Sequence, residues 1–378
     1  MTLPRTTPST QAVRLIAGCM TGTSLDGLDM ALIRVHGHGL TMRADIVRTL
    51  SRPLGVLAHP LRSFAEQLPM SAGDIARLSH NFARLHIDAL RELAAGDTLD
   101  LICCHGQTVF HVPPLSWQFL SPAPIAHALR APVVCDLRAA DLAAGGQGAP
   151  ITPLADFVLF RDARSVRAVI NLGGFCNISW LPQTPEATSL EEAIRQIGGV
   201  DVCPCNHLLD GAARTRLGQP YDDLGAVASH GRADARAVHA IVEAIHRDHA
   251  ARRSLGTGDE ARQLIALVAH MTDADALHTL CQAIAETISM AVVHYAGHMG
   301  CQPILAGGGV RNAALVAALR SRMSRAVVSD DLGIPASHRE AVCMAILGAL
   351  AQDRVPITLP WVTGAASVPA RAGVWVFP

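Results

Sequence analysis

The segment Ala17–Asp29, AGCMTGTSLDGLD, combines three glycines with hydroxyl and carboxyl side chains directly after an apolar run. A glycine-rich turn exposes backbone N–H groups, which together with hydroxyls are suited to bind phosphate oxygens. The segment lacks the GxxxxGK[ST] pattern of a P-loop, and the chain contains no lysine. It therefore predicts a phosphoryl-transfer site in which Mg²⁺, rather than lysine, neutralises the phosphates. An ordinary hairpin turn is the alternative, because the same residue types form turns.

Two later glycine turns also follow apolar strands. The segment NLGGFCNISW, residues 171–180, repeats the strand–turn–strand pattern of the N-terminal segment. The segment LAGGGVRN, residues 305–312, instead leads from a strand into a helical pattern. Two copies of the hairpin pattern predict a duplicated architecture rather than a solenoid, which would need more repeats.

Other polar residues stand where apolar strands end. The segment His105–Thr108, HGQT, follows one short strand, and Asp136–Arg138, DLR, follows the next. Ligands of α/β proteins bind at the ends of strands, so these side chains are expected to face a ligand.

The elements that must position these residues follow from apolar spacing. The spacing predicts strands at Val13–Ala17, Met30–Val35, Leu99–Cys104, Ala131–Cys135, Val166–Ile170 and Pro303–Ala306. It predicts helices within Ala65–Ala95 and Pro182–Gly198, and at Ala233–His246, Asp275–Gly297, Ala313–Arg322 and Glu340–Ala351. Alternating strands and helices predict an α/β protein.

Composition narrows the function classes. At 378 residues the chain is long enough for two domains, and 50% hydrophobic with 17% charged residues excludes global disorder. A net charge of −1 without an arginine-rich run argues against nucleic-acid binding. Ten irregularly spaced cysteines are typical of reduced thiols, which favours the cytoplasm. No segment is expected to span a membrane, and Arg14 interrupts the apolar run before a lipoprotein-like LIAGC box.

Ordered signatures resemble one enzyme family along almost the whole chain, from Ile16 to the end. They are GTSLDGLD, HGQTVFH, DLRAADLAAGGQGAP, NLGGFCNIS, LAGGGVRN, a late EA pair and WVTGA. In this order they resemble the anhydro-N-acetylmuramic acid kinase family, and the ordered set is far more specific than any single glycine motif.

The resemblance implies an actin/Hsp70/hexokinase-like ATPase fold, with duplicated mixed sheets flanked by helices and a central cleft. It implies one domain from residues 1–135 with 340–378, and a second from 136–339. It implies ATP and Mg²⁺, and a reaction that adds water across the 1,6-anhydro bridge while phosphorylating O6. The product would be N-acetylmuramic acid 6-phosphate, in cell-wall recycling.

The resemblance also implies roles for individual residues. Asp201 matches the first position of the family's DTGP(A/G)N turn, which makes it the expected base that deprotonates the attacking water. Expected nucleotide contacts are Gly22, Thr23, Ser24, Leu25, Asp26, Gly27, Leu28, Asp29, Gly174, Gly307, Gly308, Gly309, Asn312 and Glu340. Expected sugar contacts are His105, Gln107, Arg138, Gln147 and Asn171. No residue is assigned as a metal ligand.

The chain departs from the family pattern at several of these places. Cys203 replaces a glycine of the DTGP(A/G)N turn, so its sulfur is expected to crowd a phosphate, and Cys203→Gly to raise activity. The other departures are Leu120, where the SWQFL stretch loses the glycine of the family's TxQIG, and Leu137, Asp156 and Ser337. They leave two alternatives open: a kinase for another 1,6-anhydro sugar resembling levoglucosan, and a catalytically impaired relative that binds nucleotide or muropeptide.

Two further expectations concern partners. A zinc clip at Cys203, Cys205 and His207 is disfavoured, because a CxC pair lacks the CxxC spacing of zinc sites. The family tends to dimerise, and the apolar helices near Ala261–Met271 and Leu277–Ala296 could supply a homodimer interface or could be core. The expected partner is a small anhydro amino sugar, with neither nucleic acid nor membrane.

Overall fold

A computed structural model describes residues 13–22, 25, 27–250, 259–297, 300–368 and 372–378. Thr23, Ser24 and Asp26, which are expected nucleotide contacts, lie outside the described residues. The strands are β1 Val13–Thr21, β2 Gly27–His36, β3 Arg43–Pro53, β4 Leu101–Cys104, β5 Gln107–Val112, β6 Leu115–Phe119, β7 Val133–Cys135, β8 Arg167–Leu172, β9 Phe175–Leu181, β10 Gly198–Pro204, β11 Gln302–Ala306, β12 Val327–Val328 and β13 Val374–Val376. The helices are α1 Ala58–Ala65, α2 Ala72–Ala94, α3 Pro122–Leu129, α4 Ala139–Ala143, α5 Pro153–Phe160, α6 Leu190–Ile194, α7 Asn206–Leu217, α8 Ala235–Ala250, α9 Asp259–Ala266, α10 Asp273–Ala296, α11 Ala313–Arg322, α12 Arg339–Gln352 and α13 Pro360–Thr363.

The chain divides into two compact units. Unit 1 comprises the chain up to Leu159 together with Glu340–Pro378, and unit 2 comprises Phe160–Arg339. The resemblance implies domain boundaries before residues 136 and 340, and these domain bounds stay a prediction. In the structure residues 136–159 belong to unit 1.

The sheet of unit 1 is mixed, with strand order β13–β7–β4–β1–β2–β3. Strands β1, β2 and β3 form an antiparallel meander, while β4 and β7 run parallel to β1. The C-terminal strand β13 then pairs antiparallel with β7. The ends of β1, β4 and β7 carry the first glycine turn, HGQT and DLR.

The sheet of unit 2 has the order β10–β9–β8–β11–β12, again an antiparallel meander followed by parallel strands. When the strands of each sheet are numbered in chain order from the start of its meander, both sheets have the strand order 3–2–1–4–5. The sheet of unit 1 adds β13 as a sixth strand at the edge. The α/β class with duplicated mixed sheets flanked by helices is therefore confirmed.

Helix α10 forms the core of unit 2. Its buried residues include Leu277, Leu280, Ile284 and Ile288, all below 2% exposed. The expectation that no segment could span a membrane needs correction: α10 is long and apolar enough, with mean hydropathy 1.3. However, 61% of that window is buried inside the protein, which is the pattern of a core helix.

Candidate functional site

The first glycine turn is shorter than the sequence predicted. Strand β1 continues to Thr21 and β2 begins at Gly27, so only residues 22–26 connect them. At its start, the N–H of Leu25 donates to the carbonyl of Gly22 at 3.2 Å, with Leu25 at a φ of +59°. A positive φ is uncommon for a side chain such as leucine, and here the side chain is buried.

Thr21 was not singled out by the sequence, yet it carries the clearest ligand signal of this turn. Its side chain is 1% exposed, and its hydroxyl makes no hydrogen bond to the described residues. Buried polar atoms nearly always have a partner, so this hydroxyl at the edge of the turn calls for a ligand or water.

Other residues of the segment serve the fold. A Cβ on Gly18 would lie 2.0 Å from the carbonyl oxygen of Ala341, so this glycine lets α12 pack directly on β1. The side chain of Leu28 is fully buried in the core. Asp29 accepts a hydrogen bond of 2.5 Å from the hydroxyl of Ser51. The contacts to nucleotide expected of Gly27, Leu28 and Asp29 stay predictions.

In unit 1 the ends of β4 and β7 bring HGQT and DLR together. Arg138 donates to Nε2 of His105 from Nη2 at 3.0 Å and from Nε at 3.3 Å. The other ring nitrogen of His105, Nδ1, pairs with the carbonyl of Gly106 at 2.9 Å. Burial, reinforced by the Arg138 guanidinium, lowers the pKa of His105 to about 3, so the ring is neutral. Both nitrogens are engaged within the protein, and His105 therefore orients Arg138.

Gln107 and Gln147 differ in their settings. Gln107 is buried, and its side-chain oxygen makes no hydrogen bond to the described residues. That oxygen could accept from a sugar hydroxyl. Gln147 is exposed, and its backbone N–H donates to the carbonyl of Thr363 at 2.8 Å. The structure thus joins the GGQG loop to the distant WVTGA motif.

In unit 2 the turn between β8 and β9 is tied to the start of α7. The carbonyl of Gly174 accepts from the N–H groups of Cys205 and His207, and that of Gly173 accepts from Asn206. A Cβ on Gly174 would lie 2.2 Å from Nε2 of His207. A side chain at Gly174 would therefore displace the His207 ring, whether or not Gly174 also contacts nucleotide.

The third glycine turn presses against the first strand of the same sheet. Gly307 has a φ of +86°, and a Cβ there would lie 2.8 Å from the side-chain oxygen of Asn171. That oxygen is buried and makes no hydrogen bond to the described residues. Asn171, expected to contact sugar, is thus grouped with Gly307, which is expected to contact nucleotide.

Asn206 is a second residue that the sequence did not single out as a contact. Its side-chain nitrogen donates to the carbonyl of Leu172 at 3.0 Å, and its oxygen lies 3.0 Å from the Cβ position of Gly309. Its place as the last residue of the DVCPCN turn was the available signal. Asn206 therefore bonds the end of β8 and lies beside the Gly307–Gly309 turn.

Asn312 and Glu340 are placed by helices. Asn312 is the N-cap of α11, with its side-chain oxygen accepting from the N–H of Leu315 at 3.0 Å. A cap of this kind is itself sufficient reason for asparagine there. Glu340 is half-buried in the first turn of α12. Nucleotide contacts from both stay predictions.

Asp201 lies exposed on β10, opposite Asn177 of β9. The pairing shifts between Asp201 and Cys203, which marks a bulge directly after the carboxylate. Bulges re-aim side chains and are frequent beside active sites. The carboxylate is thereby accessible to a ligand, as a general base must be.

Cys203 does not occupy the position that the sequence predicted. It lies in β10 without a positive φ, and its side chain is fully buried in the core of unit 2. Burial, with a contribution from the Cys203 thiol, raises the pKa of its pairing partner Cys176 well above the usual range. The sulfur therefore packs in the core rather than crowding a turn. Among the described residues, no group of His, Cys, Asp and Glu side chains is arranged to hold a metal ion.

The other departures from the family pattern are mostly core residues too. Leu120 is half-buried and packs against two apolar clusters of unit 1. Leu137 and Asp156 are buried, the latter accepting from the thiol of Cys343 at 3.7 Å. Ser337 alone among these is exposed.

Each unit, taken by itself, has one feature that fits a nucleotide phosphate. In unit 1 it is the buried hydroxyl of Thr21 beside the first turn, and in unit 2 it is the tight backbone at Gly307, where a Cβ would collide. Glycine residues allow the backbone of a turn to approach a phosphate closely, because they carry no side chain.

Comparisons with known proteins agree along the chain. The family model described as anhydro-N-acetylmuramic acid kinase matches residues 14–376. A protein of that name from Synechococcus sp. (strain CC9605) is 35% identical over 381 residues, covering 96% of this chain and 99% of the relative. One from Bordetella pertussis is 34% identical over 371 residues, covering 93% of each.

Solved structures resemble the chain more distantly. The activator of 2-hydroxyisocaproyl-CoA dehydratase from Clostridium difficile, with bound ADPNP, is 11% identical, with a TM-score of 0.45 over 89% of this chain and 94% of its own. The ROK hexokinase from Thermus thermophilus is 12% identical, with a TM-score of 0.35 over 89% of this chain and 98% of its own.

Proposed function

The chain belongs to the anhydro-N-acetylmuramic acid kinase family, and on this premise we propose that it opens and phosphorylates anhydro-N-acetylmuramic acid with ATP and Mg²⁺. The observation that carries the proposal is the family match over residues 14–376, which includes every predicted site residue. The product would be N-acetylmuramic acid 6-phosphate.

We expect the turn after Thr21, with the Thr21 hydroxyl, to contact the phosphates of ATP. The Gly307–Gly309 turn with Asn171 is a separate predicted nucleotide contact. When bound, ATP supplies the γ-phosphoryl group and Mg²⁺ neutralises its charge, which is most of what phosphoryl transfer requires.

Asp201 would act as general base. Its carboxylate takes a proton from the water that attacks the anomeric carbon, and the bond from that carbon to O6 breaks. O6 leaves and is phosphorylated rather than protonated. A carboxylate on the face opposite the leaving oxygen matches the logic of an inverting glycosidase, with phosphorylation in place of its acid.

The sugar is expected to contact Arg138, Gln107 and Gln147 of unit 1. Arg138 is a cation whose acceptors include His105 and the carbonyl of Gly148 at 2.6 Å. A fixed guanidinium suits an acidic sugar, because it recognises carboxylates with defined geometry. The buried oxygen of Gln107 suits a hydroxyl.

The departures from the family pattern favour the family's own sugar over a changed one. Cys203 lies in the apolar core of unit 2 and Leu120 packs against apolar clusters of unit 1, so neither change builds a new polar binding surface. A levoglucosan-like substrate and a binding-only relative stay as outcomes of the test.

The test is ADP release with ATP and Mg²⁺ in the presence of three sugars. We expect turnover with anhydro-N-acetylmuramic acid, and much slower turnover with the N-acetylglucosamine analogue, which lacks the lactyl ether, and with levoglucosan. Preference for levoglucosan would favour the changed-substrate alternative. A nucleotide-induced rise in Tm without any turnover would favour the binding-only alternative.

We further propose that the protein is cytoplasmic and that it forms a homodimer. All ten cysteines are free and buried, as suits a reducing compartment. Most of α10 is buried in the core, but Met290 and Tyr295 are exposed on this helix. These apolar side chains are the part of α10 that is available for a homodimer interface.

A further inference from the structure

Asp141, in α4, is a fully buried carboxyl that no motif-based role explains. Its Oδ2 accepts from the N–H of Gly148 at 2.8 Å, and its Oδ1 accepts from the hydroxyl of Thr363 at 2.7 Å. Burying a carboxyl is costly unless it is hydrogen-bonded, and here both oxygens are used.

The partners of Asp141 define the loop of residues 145–148. A Cβ on Gly146 would lie 2.2 Å from Oδ2 of Asp141, so the loop closes tightly over the carboxyl. The N–H of Gln147 donates to the carbonyl of Thr363. Thr363 follows Asp141 by 222 positions, yet it bonds both Asp141 and, through its carbonyl, Gln147 of the loop.

The loop in turn holds Arg138. Both backbone polar groups of Gly148 are hydrogen-bonded. Its N–H donates to Asp141, and its carbonyl accepts from Nη1 of Arg138 at 2.6 Å. The rest of the Arg138 guanidinium donates to His105. A continuous chain of hydrogen bonds therefore runs from Thr363 through Asp141 and Gly148 to Arg138.

We propose that Asp141 and Thr363 are positioning residues that hold the 145–148 loop, and through Gly148 the Arg138 guanidinium, in the orientation the sugar requires. The proposal rests on the proposed function. It assigns to the WVTGA segment a role in sugar recognition rather than in the nucleotide site.

The decisive variant is Thr363→Val, which keeps the shape of the side chain and removes its hydroxyl. Oδ1 of Asp141 then loses its only hydrogen bond to the described residues, so the carboxyl that holds Gly148 is less firmly fixed. The backbone bond from Gln147 to the Thr363 carbonyl remains, so the variant loosens the loop without detaching it. Thr363→Ser restores the hydroxyl. Thr287→Val is the matched control, because it removes a buried hydroxyl that bonds the carbonyl of Ala283 at 2.9 Å within α10 of unit 2.

Two measurements decide the matter. Without ligands, amide exchange of the 141–150 peptide should be faster in Thr363→Val than in wild type or Thr363→Ser. In turnover, Thr363→Val should raise the KM for the sugar about tenfold, the effect of losing one hydrogen bond to a charged partner, with the KM for ATP unchanged. Thr287→Val should alter neither the exchange nor the KM for sugar.

Unchanged amide exchange of the 141–150 peptide in Thr363→Val would contradict the claim that Thr363 and Asp141 hold the loop. Faster exchange with an unchanged KM for sugar, or equal rises in both KM values, would overturn the positioning role. Failure of the wild-type protein itself to phosphorylate the sugar would overturn the proposed function and the positioning role with it, and it is recognised without any variant.

Discussion

Arg138 and His105 form a donor–acceptor pair, with Nη2 of the arginine 3.0 Å from Nε2 of the histidine. An imidazole can accept at Nε2 only when that nitrogen carries no proton. The lowered pKa of His105, about 3, agrees with this neutral form. His105 is thus a fixed acceptor for Arg138, rather than a proton carrier for the reaction.

Replacing His105 with phenylalanine should weaken sugar use, because Arg138 loses the acceptor that its Nε and Nη2 share. We expect kcat/KM for the sugar to fall by about 10- to 100-fold, the effect of one or two lost charge-assisted hydrogen bonds. Nucleotide affinity, measured by calorimetry, should be unchanged. His105→Gln retains an acceptor and should recover part of the loss. A wild-type activity profile that requires His105 to titrate near pH 6.5 would contradict this account.

Acid should destabilise the protein through buried histidines. Burial lowers the pKa of His86 from 6.5 to about 4, against a weaker opposing effect of its bond to the carbonyl of Phe82. His86 is protonated below about pH 6.5 in the unfolded chain, but only below about pH 4 in the folded protein. The free energy of unfolding therefore decreases as the pH falls from 6.5 to 4. His105 acts in the same direction.

The matching variant is His86→Phe, which removes both the titration and a ring nitrogen that has no hydrogen bond to the described residues. Relative to pH 8, wild type should lose about 2 kcal/mol more than the variant at pH 5. Denaturant unfolding at both pH values measures the difference. Equal losses in the two proteins would contradict the prediction.

Cys203→Gly should destabilise unit 2 rather than raise activity. The substitution removes a fully buried side chain and adds backbone freedom within β10, for a loss of about 2 kcal/mol in the free energy of unfolding. Cys203→Ala, which avoids the backbone effect, should lose less. Faster turnover by the glycine variant at unchanged Tm would restore the idea that the sulfur crowds a phosphate.

Gly307→Ala should damage the third turn by more than backbone strain. Gly307 and Gly333 both have a φ above +80°, but only at Gly307 would a Cβ meet neighbouring atoms, 2.9 Å from the carbonyl carbon and oxygen of Leu172. Gly333→Ala should cost about 1 kcal/mol in the free energy of unfolding. Gly307→Ala should cost a further 1–3 kcal/mol, on the order of an overpacking penalty, and should weaken ATP binding. Equal costs and unchanged ATP affinity would contradict this.

Much of the fold was predictable because apolar spacing marks the buried strands and helices. The predicted helix α11, Ala313–Arg322, has the observed bounds, and β1, β4, β8 and β11 overlap their predicted ranges. Strand β3 was missed because it lies at the sheet edge, where its residues are mostly half-buried and its charged side chains hide the alternation. The C-terminal segment was missed as a sheet strand because β13 has only three residues.

The site was predictable at the level of motifs, but not of contacts. Motif order placed His105, Arg138 and the glycine turns, yet spacing alone cannot show that Thr363 bonds Asp141 across 222 positions. Nor can it show that Cys203 points into the core, because the bulge after Asp201 changes the alternation of β10. The role of Thr21 depends on a missing hydrogen bond, which only the folded structure reveals.

The most direct test of the central claim is mass spectrometry of the sugar after incubation with ATP and Mg²⁺, for wild type beside Asp201→Asn. The account predicts that wild type gives a sugar that has gained both one water and one phosphate, while the variant binds ATP but forms no product. Phosphorylation without added water, no product from the folded wild type, or undiminished product from Asp201→Asn would contradict it.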